Sequence, residues 1–135
     1  MISRRIILKA IAATSLFAGS IPAFAKSKGS NPVKALDTDN DGTVDLAEAK
    51  KAASNLFDRL DRDHDGTLDK RELASRLSAE EFAAADPDHD GTLTKDEYLA
   101  VVEQRFNAAN KDGDGTLDAK EFSTTAGHSL LRLLT

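Results

Sequence analysis

A twelve-residue pattern occurs four times along the chain, and its spacing limits the folds that the chain can adopt. The copies are DTDNDGTVDLAE at 37–48, DRDHDGTLDKRE at 61–72, DPDHDGTLTKDE at 86–97 and NKDGDGTLDAKE at 110–121, called loops 1 to 4 below. Successive copies start 24, 25 and 24 residues apart. Repetition at a fixed spacing indicates one small structural unit used four times.

Each loop follows the calcium-loop pattern D-x-[DN]-x-[DN]-G-x5-E of the EF hand, with Asn110 as the only exception at the first position. In this pattern side chains 1, 3 and 5 converge on one point and glycine 6 makes a sharp turn. Residue 7 offers its carbonyl, residue 9 binds directly or through water, and residue 12 binds with both carboxylate oxygens. The candidate metal ligands are Asp37, Asp39, Asp41, Thr43, Asp45, Glu48, Asp61, Asp63, Asp65, Thr67, Asp69, Glu72, Asp86, Asp88, Asp90, Thr92, Thr94, Glu97, Asn110, Asp112, Asp114, Thr116, Asp118 and Glu121.

The charge of the chain follows from these loops, because 19 of its 23 acidic residues lie inside them. The formal net charge of −5 argues against nucleic acid and anionic membranes as partners and favours cations. The chain has no cysteine, which excludes disulfides and thiolate metal sites. Aromatic residues make up 5% of the chain, so the core is small and folding needs additional stabilisation.

Residues 1–25, MISRRIILKAIAATSLFAGSIPAFA, are predicted to be a cleaved signal peptide, with a basic start, an apolar middle and a small-x-small end. A retained membrane anchor is the alternative. The segment SRRIILK resembles the bacterial twin-arginine export motif, although an ordinary secretory signal with two arginines explains it equally well. Residues 26–35 are predicted to be a polar linker, and residues 36–135 to form the domain with the four loops.

The short connectors between the loops predict an all-α fold. The segments AKKAASNLFDRL and YLAVVEQRFNAA contain good helix formers and no breaker, so each is predicted to form one helix with a loop at either end. The middle connector contains a capping box at Ser78–Glu81, which predicts a bend between two short helices. The bend would place loop 2 beside loop 3 and loop 1 beside loop 4, at the two ends of a compact bundle. Paired loops can then touch through a short backbone bridge at position 8, which is occupied by Val44, Leu68, Leu93 and Leu117. A last helix around HSLLRLL would cover the bundle with its leucines.

The donor atoms determine the class of cation. Carboxylate and carbonyl oxygens disfavour copper and zinc, and magnesium prefers a tighter octahedron that keeps its waters, which leaves Ca²⁺ and trivalent ions of similar size. Attraction to the ligands grows roughly 1.5-fold from charge +2 to +3, whereas the cost of removing water grows roughly 2.25-fold. A trivalent ion is therefore favoured only where carboxylates are unusually many.

The four loops differ in this respect. Loops 1 and 2 have five carboxylates each at ligand positions. Loop 3 has Thr94 at position 9, and loop 4 opens with the neutral Asn110. Loops 1 and 2 are thus best suited to a trivalent ion, and loop 4 is expected to bind most weakly.

The loop spacing, the export signal, the helix break at Ser78, DGT in every loop and Asn110 opening the fourth loop resemble the lanmodulin family over residues 33–135. The resemblance implies a bacterial periplasmic protein that binds lanthanide(III) ions such as La, Ce and Nd in preference to Ca²⁺. It also implies a largely disordered metal-free chain that collapses into a three-helix bundle. The family is associated with methanol oxidation, so a lanthanide-dependent methanol dehydrogenase or uptake machinery is an expected partner. Only Pro87 matches the proline that the family often has at loop position 2.

Other functions are weighed against this hypothesis. A periplasmic calcium buffer remains open, whereas a calcium sensor is disfavoured because Met1 is the only methionine and no methionine-rich groove can form. A dockerin-like module is disfavoured by the number of loops. A hydrolase, and an enzyme in general, is disfavoured because the loops use nearly every acid.

The three histidines and Arg105 are not among the candidate ligands. His64 and His89 occupy loop position 4 and are expected to point outward, and His128 is expected at the surface. Arg105 is interpreted as a solvated charge, with contact to a carboxylate of a second copy as the alternative. The chain is accordingly expected to be a monomer or a metal-dependent homodimer.

Overall fold

A computed structural model describes residues 31–135. The predicted signal peptide, 1–25, and the first half of the predicted linker lie outside the described residues. The elements in chain order are α1 (Pro32–Leu36), β1 (Val44–Asp45), α2 (Leu46–Leu60), β2 (Thr67–Asp69), α3 (Lys70–Leu73), α4 (Ala79–Ala85), β3 (Thr92–Thr94), α5 (Lys95–Ala109), β4 (Thr116–Leu117), α6 (Ala119–Phe122) and α7 (Thr125–Leu131). None of these helices is both long and apolar enough to span a bilayer.

Helices α2 and α5 form the centre of the fold. Each has 15 residues and is about 22 Å long, and the two helices pack against each other. Phe57 and Tyr98 meet edge to face with ring centroids 5.7 Å apart. The prediction that one helix joins loops 1 and 2, and another joins loops 3 and 4, is confirmed.

The middle connector bends where the sequence predicted. The Ser78 side chain accepts a hydrogen bond from the Glu81 N–H, and the Glu81 carboxylate accepts one from the Ser78 N–H, so α4 starts with the predicted capping box. Helix α3 ends at Ala74, whose φ of +51° is unfavourable for a residue with a Cβ atom. The strained turn allows the chain to reverse between α3 and α4.

Two antiparallel strand pairs join the loops at the expected backbone bridges, and the all-α fold class did not include them as sheets. β1 pairs with β4, and β2 pairs with β3. Position 8 of each loop lies in these ladders, where Val44 faces Leu117 and Leu68 faces Leu93. All four side chains are fully buried. The described residues therefore form seven helices and two small sheets, rather than helices alone.

The C-terminal segment covers one side of α5. Leu130, Leu133 and Leu134 are buried, as the sequence predicted, and Leu131 is only partly buried. The Tyr98 hydroxyl donates a hydrogen bond to the Leu133 carbonyl (2.8 Å). Tyr98 is fully buried, and burial raises the pKa of Tyr98 to about 12.

Three donors outside the C-terminal segment hold its backbone. Besides Tyr98, Arg76 donates to the carbonyls of Arg132 and Thr135 at 2.6 Å each, and Arg105 donates to that of Ser129 at 2.6 Å. Carbonyls in the last turn of a helix lack partners within the helix. The three side chains therefore supply donors to one such carbonyl, that of Ser129, and to the carbonyls of the C-cap and of the residues that follow α7.

At the other end of the chain, α1 begins at Pro32, inside the stretch 26–35 that was predicted to be a linker. Asn31 caps this helix, with its side chain accepting a hydrogen bond from the Val33 N–H. Val33 and Leu36 are buried in the common core. The last part of the predicted linker is thus packed on the domain.

Gly127 permits the close approach of α7 to α6, and this contact can be tested. A Cβ atom at Gly127 would collide with the Glu121 carbonyl oxygen and the Phe122 backbone. We expect Gly127→Ala to lower the free energy of unfolding by about 1–3 kcal/mol, the usual cost of overpacking, in thermal denaturation of the metal-loaded protein. His128→Ala, at an exposed position of the same helix, is the control, and equal stability of the two variants would contradict the packing argument.

Candidate metal-binding loops

Each loop folds around one residue in the left-handed conformation at position 4. Asn40, His64 and His89 have φ of 61°, 57° and 56°, and Gly113 takes this place in loop 4 with φ of 70°. Asparagine and histidine tolerate this region better than most residues. The sequence pattern does not specify position 4, so this requirement was not predicted; the three histidines, including His128, are exposed as expected.

The first carboxylate of loops 1 to 3 holds the loop backbone. Its Oδ2 accepts a hydrogen bond from the N–H of the position-6 glycine at 2.9 Å in all three loops, between the pairs Gly42–Asp37, Gly66–Asp61 and Gly91–Asp86. In loop 4, within the described residues 31–135, the amide oxygen of Asn110 accepts only from the Gly113 N–H, at 3.1 Å. An amide has one acceptor oxygen where a carboxylate has two, so loop 4 is held less completely.

The carboxylates at position 5 stabilise the loops without joining the central cluster. Oδ1 of Asp41 accepts hydrogen bonds from both the N–H and the hydroxyl of Thr43, each at 2.8 Å. The same two contacts recur in the other loops, and they join Asp65 to Thr67, Asp90 to Thr92 and Asp114 to Thr116. These two predicted ligand positions are therefore linked to each other in the described loops.

Position 9 has a role that the ligand pattern did not reveal. Asp45, Asp69, Thr94 and Asp118 are the N-caps of α2, α3, α5 and α6, and each side chain accepts the N–H of the closing glutamate. The glutamate accepts the N–H of position 9 in return, which completes a capping box. The closing ligand of every loop thus also fixes the start of the following helix.

Carboxylate oxygens of positions 1, 3 and 12 lie within 4.8 Å of one another in three loops. The groups are Asp37, Asp39 and Glu48; Asp61, Asp63 and Glu72; and Asp86, Asp88 and Glu97. No such group of three is found in loop 4, among the residues the structure describes. Clustered oxygens with no nitrogen or sulfur donor fit a hard cation such as Ca²⁺ or a lanthanide(III) ion.

The clustered charges perturb one another. Burial alone would raise the pKa of Asp37, but hydrogen bonds from the Gly42 and Asn40 N–H groups lower the pKa below the ordinary aspartate value. For Asp39 the Asp41 N–H acts to lower the pKa, yet burial and the neighbouring acids outweigh it and raise the pKa. In loop 3 the hydrogen bond with Asp86 is the main cause of the raised pKa of Asp88. Of these two positions, position 3 is therefore the first to take up a proton as the pH falls.

Comparison with known proteins agrees with this geometry. A family profile described as "EF hand" matches residues 34–51, 54–78, 77–102 and 103–124. The chain belongs to the EF-hand family. No curated protein matches this EF-hand chain. The family and the acidic clusters together make the chain a metal-binding protein with four repeats.

The prediction that Arg105 is a solvated charge is wrong. Its side chain is 11% exposed and contacts Glu81 at 2.7 Å, and it also donates to the Ser129 carbonyl. Arg105 thereby links α5 to α4 and α7 within one chain. A mostly buried guanidinium with two acceptors stabilises the fold more than an exposed ion pair does.

The asymmetry of loop 4 gives a testable expectation. Asn110→Asp restores a second oxygen at position 1, which can accept the Gly115 N–H and can bind the cation. We expect loop 4 of Asn110→Asp to bind La³⁺ about tenfold more tightly, the factor for one charge-assisted contact. The ¹H–¹⁵N signal of Gly115 measures the occupancy of loop 4, and that of Gly42 in loop 1 is the internal control. An unchanged Gly115 midpoint would contradict the ranking.

The raised pKa values give a pH dependence. The pKa values of Asp39, Asp63 and Asp88 are raised above the ordinary value of 3.8, so protons compete with the cation at these positions as the pH falls toward that value. We expect weaker metal binding and measurable proton release at about pH 4.5. Calorimetry in two buffers of different ionisation enthalpy measures the protons released. Equal heats in both buffers would show that no proton is displaced.

Proposed function

We propose that this EF-hand protein is exported to the bacterial periplasm and there binds trivalent lanthanide ions in preference to Ca²⁺, folding as it binds. Support comes from the carboxylate density of loops 1 and 2, which have five acids each at ligand positions. Such loops over-neutralise a divalent ion, whereas the attraction to a trivalent ion offsets more of its greater dehydration cost. The single observation that carries this proposal is the clustering of three carboxylates within 4.8 Å in these loops.

Coupling of metal binding to folding is supported by the position of the core. Val44, Leu68, Leu93 and Leu117 are completely buried, and each lies between ligand positions 7 and 9 of its loop. The core therefore assembles only when the loops pair, and pairing brings together loops whose own carboxylates repel one another. A cation removes that repulsion, so its binding free energy becomes folding free energy.

The physiological role that we propose is lanthanide uptake, trafficking or buffering, as the resemblance to the lanmodulin family implies. A lanthanide-dependent methanol dehydrogenase or uptake machinery would be the partner, and the chain would act without catalysing a reaction. In this role it is a monomer or a metal-dependent homodimer. The ions themselves are the cargo of the protein.

A periplasmic calcium buffer is the second candidate function. It is favoured by Thr94 and Asn110, which reduce the number of anionic ligands in loops 3 and 4. Fewer carboxylates suit a divalent ion, because the charge of such a loop is closer to that of the ion. The two candidates differ in the free metal concentration at which the chain folds.

Chelator-buffered titration of the metal-free protein distinguishes the two functions. We expect the far-UV circular dichroism signal of helix to appear at free La³⁺ concentrations orders of magnitude below the Ca²⁺ concentrations needed. The measurement is the pair of midpoints. Coincident midpoints would favour the calcium buffer, and a metal-free protein that is already fully helical would contradict metal-coupled folding.

A variant series tests which loops carry the affinity. Asp37→Asn and Asp61→Asn each remove a carboxylate that holds a glycine N–H and lies in the acidic cluster. We expect each to raise the La³⁺ midpoint by tenfold or more, and Asn110→Ala to change it far less. An equal loss in all three variants would contradict the ranking of the loops.

A further inference from the structure

The closing glutamate is held differently in loop 3 than in the other loops. In loop 1, Oε1 of Glu48 accepts the N–H of residue 2 of the loop, Thr38, at 2.6 Å. The equivalent bonds are 3.0 Å long between Arg62 and Glu72 in loop 2, and 2.9 Å between Lys111 and Glu121 in loop 4. These three glutamates therefore have both carboxylate oxygens tied to the loop backbone, one at position 2 and one at position 9.

Loop 3 lacks the first of these bonds because Pro87 occupies position 2 and has no N–H group. Oε2 of Glu97 accepts the Thr94 N–H at 2.8 Å, but Oε1 accepts no hydrogen bond from any residue that the structure describes. Glu97 and Glu72 are only partly buried, whereas Glu48 and Glu121 are buried with 8% and 9% exposure, so the missing bond and not burial distinguishes Glu97. One of the four closing ligands is thus tied at a single oxygen.

An open groove lies beside this ligand. It has a volume of about 560 Å³ and runs between α4, α5 and α7, and Pro87 and Glu97 form one end of it. Its sides include the small side chains of Ala84, Val101 and Ala108. The groove gives the Glu97 carboxylate room to turn away from the loop, and gives a small molecule access to the same point.

We propose that loop 3 is the exchange site of the protein, where the bound ion passes to and from oxygen-donor chelators through the groove beside Pro87 and Glu97. This inference rests on the proposed function, since it requires that the loops bind the cation. Ligand exchange at a filled site needs one protein ligand to leave while an incoming oxygen takes its place. Glu97 can leave after losing one backbone bond, whereas the other three closing glutamates must lose at least two. Among the three loops that hold a cluster of three carboxylates, loop 3 should therefore release its ion first.

The test adds the position-2 N–H to loop 3 and removes it from loop 2. Pro87→Ala supplies the position-2 donor in loop 3, and Arg62→Pro removes it in loop 2. The residue before position 2 permits the proline, because Asp61 has a ψ of 80°, close to the 81° of Asp86 in loop 3. Arg62→Ala controls for the loss of the arginine charge while keeping the N–H.

Release is measured by stopped flow after mixing the Tb³⁺-loaded protein with excess chelator. Emission excited directly counts all bound ions, and emission sensitised by Tyr98, the only tyrosine and the residue next to Glu97, reports the nearest ion. We expect the wild type to show a fast phase in the Tyr98-sensitised signal, which reports loop 3 because loop 4 lies at the other end of α5. Pro87→Ala should slow this phase about tenfold, the factor for one hydrogen bond to a carboxylate, and Arg62→Pro should add a second fast phase.

The outcomes separate this inference from the proposed function. A protein that binds no Tb³⁺ at micromolar concentration would contradict the proposed function itself. A protein that binds Tb³⁺ but releases it at the same rate with Pro87 or Ala at position 87 would overturn only the exchange site. A second fast phase in Arg62→Ala would also overturn it, because charge and not the N–H would then set the rate. If Arg62→Pro does not fold with metal, Thr38→Pro makes the same test in loop 1, where the preceding Asp37 has an extended ψ of 104°.

Discussion

Repulsion between carboxylates within each loop is the interaction on which the rest of the structure depends. In loops 1 to 3 the backbone holds three acids within 4.8 Å, a distance at which like charges repel strongly once water is excluded. Backbone N–H groups of the loop offset part of that repulsion, as the lowered pKa of Asp37 indicates, while the raised pKa of Asp39 shows that part of it remains. A cation at the same point would remove the remainder. The fold is therefore balanced so that its least favourable electrostatics coincide with its binding sites.

The capping boxes connect this local balance to the helices. Because position 9 caps the helix that position 12 enters, an ion held by the closing glutamate acts directly on a helix start. The ladders connect the loops to one another, since each buried position-8 side chain faces its counterpart in the partner loop. Small changes in ligand geometry thus reach the core through one residue. This direct connection between loops and core suits a chain whose core is small because it has few aromatic residues.

Much of this arrangement could be predicted from the sequence, because the repeat fixed the order of loops and helices and the capping box at Ser78 fixed the bend. The backbone bridge at position 8 was also predicted from the loop pattern, but the extent of the strands was not, since two or three residues of ladder leave no periodic signal. Position 9 was interpreted only as a ligand, because the metal pattern and the N-cap preference select the same residue types there. Arg105 was misjudged for a different reason: its partners, Glu81 and the Ser129 carbonyl, are 24 residues away on either side. Such pairings depend on packing.

The two central helices have a consequence for spectroscopy. Since α2 and α5 each carry a loop at both ends, ions in the two loop pairs would sit at opposite ends of a rod of about 22 Å, while ions within a pair would lie much closer. Paramagnetic cations bound in the loops would therefore give two classes of ion–ion distance, a short one within a loop pair and a long one between the pairs. No spin label would have to be attached to the protein. The distance between the two ion pairs would then report how the two ends of the protein become ordered relative to each other.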